Sequence, residues 1–163
     1  MEKIAILVDV QNIYYTTRQA FSRKFNYSAF WSAVTEGREV VAAIAFAIES
    51  RDGGKQAGFQ QTLRDIGFEV KLKPYIQRSD GSAKGDWDVG ITLDMVELAE
   101  KVDTVVLASG DGDFDLAIQR IKQRFDTGAE VYGVERLTAG SLIRSATKYV
   151  PIEEEFLMPE AMG

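Results

Sequence analysis

Three stretches of the chain gather carboxylates at points where a strand should end or a helix begin. The first is Ile4-Ala5-Ile6-Leu7-Val8-Asp9-Val10-Gln11-Asn12, an apolar run closed by an acid, with an amide three residues on. The second is Val105-Val106-Leu107-Ala108-Ser109-Gly110-Asp111-Gly112-Asp113-Phe114-Asp115, where three aspartates stand at alternate positions. The third is Lys84-Gly85-Asp86-Trp87-Asp88, followed by Asp94 between Leu93 and Met95. Ligand sites in open α/β sheets form outside the carboxyl ends of the strands, so the first two stretches are expected to meet at one crevice. Each acid also has a plain structural reading. Asp9 can cap a following helix, and Asp111 or Asp113 can cap the helix that begins near Phe114, where the helix dipole favours acids. One cap uses one carboxylate and leaves the others unexplained. Like charges this close cost energy unless a cation holds them, and Gly110 and Gly112 would let backbone and ligand approach closely. The likeness to a Ca²⁺ loop is faint, because the closing Glu and the flanking helices of an EF-hand are missing.

If Asp88 opens a helix, Asp94 lies six residues on. Six steps of about 100° leave the two about 120° apart around the axis, so both cannot face one ion. Asp88 is the expected ligand, Asp94 an indirect or structural acid, and Asp86 a loop or cap residue. An oxygen-rich set without His or Cys suits Mg²⁺ or Mn²⁺. Such a set can hold one or two ions, deprotonate a water and stabilise charge during attack on phosphorus.

Composition narrows the chemistry further. The 163 residues include no cysteine and no histidine, which excludes thiolate nucleophiles, the serine triad and every His- or Cys-ligated metal site. Asp and Glu number 25 against 19 Lys and Arg, a formal charge of −6. That balance disfavours tight non-specific binding to nucleic acid, which depends on cations at phosphate, although acids gathered around a divalent ion count for less. A haloacid-type phosphatase needs a second Asp two residues after the first, and here that place is Gln11. A dinucleotide fold needs a glycine-rich turn after its first strand, whereas this strand leads into Asp9-Val10-Gln11-Asn12.

The elements that must position these residues alternate short apolar runs with longer amphipathic stretches, the pattern of βαβ units. Strands are expected at Lys3 to Val8, within Glu39 to Ile48, at Phe68 to Tyr75, Thr104 to Ala108, Glu130 to Val134 and Tyr149 to Ile152. Helices are expected over Asn12 to Phe21, Ser28 to Val34, Lys55 to Gly67, Asp88 to Lys101, from Phe114 to a stop at Gly128, and over Ala139 to Ser145. Val89, Ile91, Leu93 and Met95 alternate as in a strand, but the length of that span favours a helix. Gln77 to Gly85 reads as a polar loop. The whole is one α/β domain over residues 1–152, a three-layer α/β/α sandwich on a mostly parallel central sheet, with an acidic tail at 153–163 expected to be peripheral. No apolar run approaches the roughly 18 residues of a membrane helix, and Met1-Glu2-Lys3 has no signal-peptide layout, so a cytoplasmic protein is expected.

The strand ending in Asp9-x-x-Asn12, the Lys84-Gly85 to Asp94 segment and Ser109-Gly110-Asp111-Gly112-Asp113-Phe114, in that order and spacing, resemble the NYN domain, in particular its LabA-like branch within the PIN-like nucleases. The resemblance covers about residues 3 to 150. It implies a PIN-like (Rossmann-like) sandwich, an acidic Mg²⁺ site and cleavage of RNA. By that resemblance Asp9, Asp88, Asp111 and Asp113 are the metal-binding and catalytic acids, and Asp115 is a weaker candidate. Asn12 and Ser109 would position a phosphate, a water or a ligand carboxylate. One departure is Ala146-Thr147-Lys148, where the family often carries an acid after the alanine.

Lys71, Lys73, Arg78 and Lys84 near the predicted sheet edge are candidates for holding RNA, with Tyr75 and Trp87 as stacking surfaces. Tyr14, Tyr15 and Arg18 follow Asp9 and can flank the cleft. Arg120, Lys122 and Arg124 are expected to be merely solvated. The rival to a ribonuclease is a catalytically silent PIN-like regulator that binds RNA, metal or a partner. A homodimer is compatible with either.

Overall fold

The computed structural model describes residues 1–49, 54–73, 76–77, 83–84 and 87–160. Its centre is a sheet of six strands in the order β3-β2-β1-β6-β7-β8, every neighbouring pair parallel. The strands are β1 (Glu2–Asp9), β2 (Arg38–Ile48), β3 (Glu69–Lys73), β6 (Thr104–Ala108), β7 (Gly128–Gly133) and β8 (Lys148–Pro151). Strands covered on both faces read as continuous apolar runs rather than alternating ones. Accordingly Ile4 to Val8 and all of β6 are buried.

Alternate residues of each strand feed two separate cores. Ile4, Ile6, Val8, Val106 and Ala108 pack with Ile13, Phe30, Val34 and Leu63. These last come from α1 (Val10–Phe21), α2 (Tyr27–Thr35) and α3 (Gly54–Ile66). Ala5, Leu7, Val105 and Leu107 pack on the other face with Ile91, Met95, Ile118, Ile121 and Leu142. Those residues belong to α4 (Asp88–Ala99), α5 (Asp115–Phe125) and α6 (Gly140–Ser145). The architecture is the expected three-layer α/β sandwich, with the main sheet wholly rather than mostly parallel. Among the described residues no helix is long and apolar enough to cross a membrane.

Several boundaries differ from the sequence reading for physical reasons. Across the loop expected over Gln77 to Gly85, β4 (Ile76–Gln77) pairs antiparallel with β5 (Ala83–Lys84). The stop of α5 is not Gly128, which already opens β7. It is Asp126, whose φ of 57° places a non-glycine residue in the left-handed region, a conformation Asp tolerates better than most. Gly67 does end α3, at φ 140°. The span from Asp88 is a helix because Ile91, Met95 and Ala99 are buried at four-residue spacing. The alternation came from Val89 and Leu93, both exposed.

The expected peripheral tail is packed through Met158. Phe156 and Leu157 are buried in the first core. Arg23 grips Glu154 through two hydrogen bonds of 2.7 and 2.8 Å and donates a third to the Met158 carbonyl at 2.8 Å. That pairing raises the Arg23 pKa and lowers that of Glu154, the side-chain hydrogen bond being the main cause in each case.

At the amino end of the sheet the first residues of β1, β2 and β6 form a polar cluster with Glu130, the third residue of β7. Arg38 donates to both oxygens of Glu130 (3.1 and 2.6 Å) and pairs with Glu2 at 3.0 Å. Thr104 donates to the other oxygen of Glu2 at 2.8 Å. Glu130, a buried acid, thus has a guanidinium against it, and the hydrogen bond to Glu130 is the main cause of a raised Arg38 pKa.

Candidate metal centre

The parallel register brings the carboxyl ends of β1 and β6 side by side, Val8 opposite Ala108. Asp9 is the last residue of β1 and caps α1, but weakly: its Oδ1 accepts from the Asn12 N–H at 3.4 Å. Its Oδ2 accepts from the Ser109 hydroxyl at 3.2 Å. The same hydroxyl oxygen accepts from the Asp111 N–H at 3.2 Å. The Asn12 side-chain carbonyl accepts from the Gly110 N–H at 2.9 Å. Two side chains from the first strand-to-helix corner are therefore tied to the second corner. Ser109 is fully buried. Of the roles expected for it, the structure shows contact with a carboxylate, that of Asp9, and leaves the hydroxyl no access to an incoming phosphate.

After Ser109 the chain turns into a 3-10 segment, Gly112–Phe114, before α5 begins at Asp115. Asp111 caps that segment, its Oδ1 accepting from the Asp113 N–H at 2.9 Å. Gly110 and Gly112 matter here for another reason than close approach of a ligand. A Cβ on Gly110 would lie 2.9 Å from the Leu137 carbonyl oxygen, and one on Gly112 would lie 2.7 Å from the Ala139 side chain. The glycines let the segment after β7 press against the acid loop, and the Ala139 N–H donates to the Gly110 carbonyl at 3.1 Å.

Asp88 opens α4, whose first turn is fixed by Trp87. The indole N–H donates to the Ala47 carbonyl at the end of β2 at 2.7 Å, and the ring packs edge-on to Phe46 at 5.3 Å. Gly90 leaves room for that ring, since a Cβ there would lie 2.5 Å from it. Trp87 therefore holds the start of the helix, which differs from the stacking role considered for it.

Oxygens of Asp88, Asp111 and Asp113 lie within 4.8 Å of one another. Oxygens around an octahedral ion bound at about 2.0–2.1 Å stand about 2.9 Å apart when adjacent and about 4.2 Å apart when opposite. The three carboxylates would therefore have to draw together by side-chain rotation to hold Mg²⁺ or Mn²⁺. Asp9 is not one of the three, but it lines the same cleft, of about 230 Å³, with Gln11, Asn12, Tyr15, Thr16, Asp88 and Asp111. Among the described residues Asp111 and Asp113 meet no Lys or Arg in an ion pair. Burial pushes the phenol of Tyr27 well above its ordinary range, and the Asp9 charge adds to the shift. Tyr27 thus stays neutral behind the site.

Asp94 points elsewhere, bound at 2.7 Å to Lys71 on β3. Lys71 is accordingly engaged, its pKa raised chiefly by that hydrogen bond. Asp115 opens α5 outside the three-acid group. Lys73 sits 4.8 Å over the Trp87 ring. The backbone of Lys84 lies in β5, whereas Tyr75, Arg78 and Asp86 fall outside the described residues. Arg120, Lys122 and Arg124 are exposed on α5, as expected.

A family model described as "NYN domain" matches residues 3–153. The chain is 27% identical to the low amplitude and bright protein LabA of Synechococcus elongatus, over 93% of this chain and 84% of that one. It is also 58% identical to a protein of unknown function from Vibrio parahaemolyticus, whose crystal structure superposes with a TM-score of 0.91 over 96% of both chains.

Proposed function

The chain belongs to the NYN domain family, and from that premise we propose that it is a metal-dependent ribonuclease hydrolysing phosphodiester bonds at its aspartate cluster. The observation that carries this reading is the convergence of Asp88, Asp111 and Asp113 from two separate segments to within 4.8 Å. Crowded like charges cost energy, which a divalent cation held between them would offset. We assign Asp88, Asp111 and Asp113 as ligands and Asp9 as the fourth acid, since it lines the same cleft as Asp88 and Asp111. A divalent cation held there supplies Lewis-acid activation of water and of the phosphoryl oxygen. Ser109 and Asn12 keep Asp9 and the acid loop in register, and Lys84 is assigned to the substrate phosphate.

The test is cleavage of labelled single-stranded and hairpin RNAs and DNAs with Mg²⁺ or Mn²⁺, alongside the Asp9→Asn/Asp111→Asn double variant. Wild type should cut RNA. The variant should lose on the order of a thousandfold, since stabilisation of several kcal/mol is removed and each 1.36 kcal/mol is tenfold. Equal residual cutting by both preparations would assign the activity to a contaminant. No cutting by wild type that binds the metal in calorimetry would assign the chain to the silent regulators.

A further inference from the structure

The outer face of α1 carries side chains that neither core uses. Val10, Ile13 and Thr17 are the buried residues of this helix. On its other side Tyr14 is 45% and Tyr15 58% exposed. Exposed tyrosines are ordinary one at a time. These two are consecutive and already ordered. Their rings meet edge-on at 5.4 Å. The Arg18 guanidinium donates to the Tyr14 hydroxyl at 2.8 Å and lies 5.8 Å over its ring. Tyr15 is continuous with the acid cleft, lining it with Asp9, Asp88 and Asp111.

We propose that Tyr15, braced by Tyr14 and Arg18, is a stacking platform for an unpaired base beside the acid cluster, and that it makes the protein select single-stranded over duplex RNA. The proposal rests on the ribonuclease reading and names its substrate class. Inside a duplex both faces of each base are covered by its neighbours, so only an unpaired base can lie on the ring. Charge points the same way. A protein of net charge −6, whose α1 carries one cation, Arg18, has little electrostatic hold on phosphate here and must draw affinity from ring contact. Strand binding should therefore depend weakly on salt. Each phosphate neutralised on a single strand contributes a slope of about −0.7 to log K against log salt, and one or two such contacts give a slope near −1.

The test is fluorescence anisotropy with a fluorescein-labelled 12-nucleotide single-stranded RNA and the same sequence as a blunt duplex. It is run with Mg²⁺ in the Asp111→Asn background, so that the strand survives. The parent should prefer the single strand. Tyr15→Ala should weaken that binding about tenfold, and Tyr15→Phe should restore it. Duplex binding should be unmoved by either substitution. Tyr15 is mostly exposed, and alanine is the better helix former, so the fold should tolerate the change, which circular dichroism checks. Single-strand binding unchanged in Tyr15→Ala, equal loss for both probes, or a parent that binds neither strand would overturn the proposal and leave this face to a protein partner. If wild type cuts RNA while Tyr15→Ala binds normally, this inference alone fails. If wild type cuts nothing, the ribonuclease reading fails with it.

Discussion

The two ends of the central sheet both gather acids, and they treat them in opposite ways. At the amino end Glu2 and Glu130 share one guanidinium, that of Arg38, and Thr104 satisfies a further oxygen. At the carboxyl end Asp88, Asp111 and Asp113 crowd together, and Asp111 accepts from the Asp113 N–H, while among the described residues neither of these two meets a Lys or Arg in an ion pair. Hydrogen-bond donors of this kind orient a carboxylate without neutralising its charge. The amino end sets a guanidinium against its buried acid, whereas among the described residues Asp111 and Asp113 at the carboxyl end have no such counter-charge. A buried charge without its counter-charge destabilises a fold, so the same substitution, removal of one charge, should have opposite signs at the two ends.

The largest effect is expected from Arg38→Met. Breaking a buried pair from one side costs 3–5 kcal/mol. Because the Arg38 side chain retains about a fifth of its exposure, the low end, about 3 kcal/mol, applies. In thermal unfolding this is a fall of roughly 6–12 °C for a domain of this size, and Arg38→Met with Glu130→Gln should recover part of it. A shift below about 2 °C would show that the amino end is not held by charge at all.

Metal addition should act only at the other end. Mg²⁺ or Mn²⁺ at about a hundred times its dissociation constant stabilises the folded state by about 2.7 kcal/mol. That should raise the melting temperature by roughly 5–10 °C. EDTA should reverse the rise, and Asp88→Asn should lose it, while Arg38→Met keeps it on its lower baseline. An undiminished rise in Asp88→Asn would place the cation elsewhere.

The smallest effect sharpens the contrast most. Without metal, Asp113→Asn removes one of three like charges while keeping the backbone N–H that Asp111 accepts. The metal-free protein should then melt about 1 °C higher, the reverse of the change at Arg38. A fall in differential scanning calorimetry would mean that the Asp113 charge serves the helix start rather than a cation.

Much of this was legible in the residues. Continuous apolar runs marked β1 and β6 as strands covered on both faces, and the acids closing them located the crevice. Helical geometry separated Asp88 from Asp94, and the structure sends the second to Lys71. What escaped the sequence depends on contacts between distant segments. Gly110 and Gly112 look like room for a ligand until Leu137 and Ala139 are seen against them. Ser109 looks available to substrate until its hydroxyl is seen buried between the Asp9 carboxylate and the Asp111 N–H. The acidic tail looks dispensable because Arg23, which anchors Glu154, lies 131 residues earlier. Asp126 ends α5 in a conformation that a search for glycine misses.

The bond from Ser109 to Asp9 joins residues 100 positions apart, and it crosses the pairing of β1 with β6. A chain grows at roughly 5–20 residues per second, so on the ribosome Asp9 waits on the order of 5–20 s before Ser109 is made. The first acid of the site emerges early, on a strand whose neighbour on that side does not yet exist. The tie between the two corners cannot form before the second corner has been made, so closure of the site belongs to the later part of synthesis.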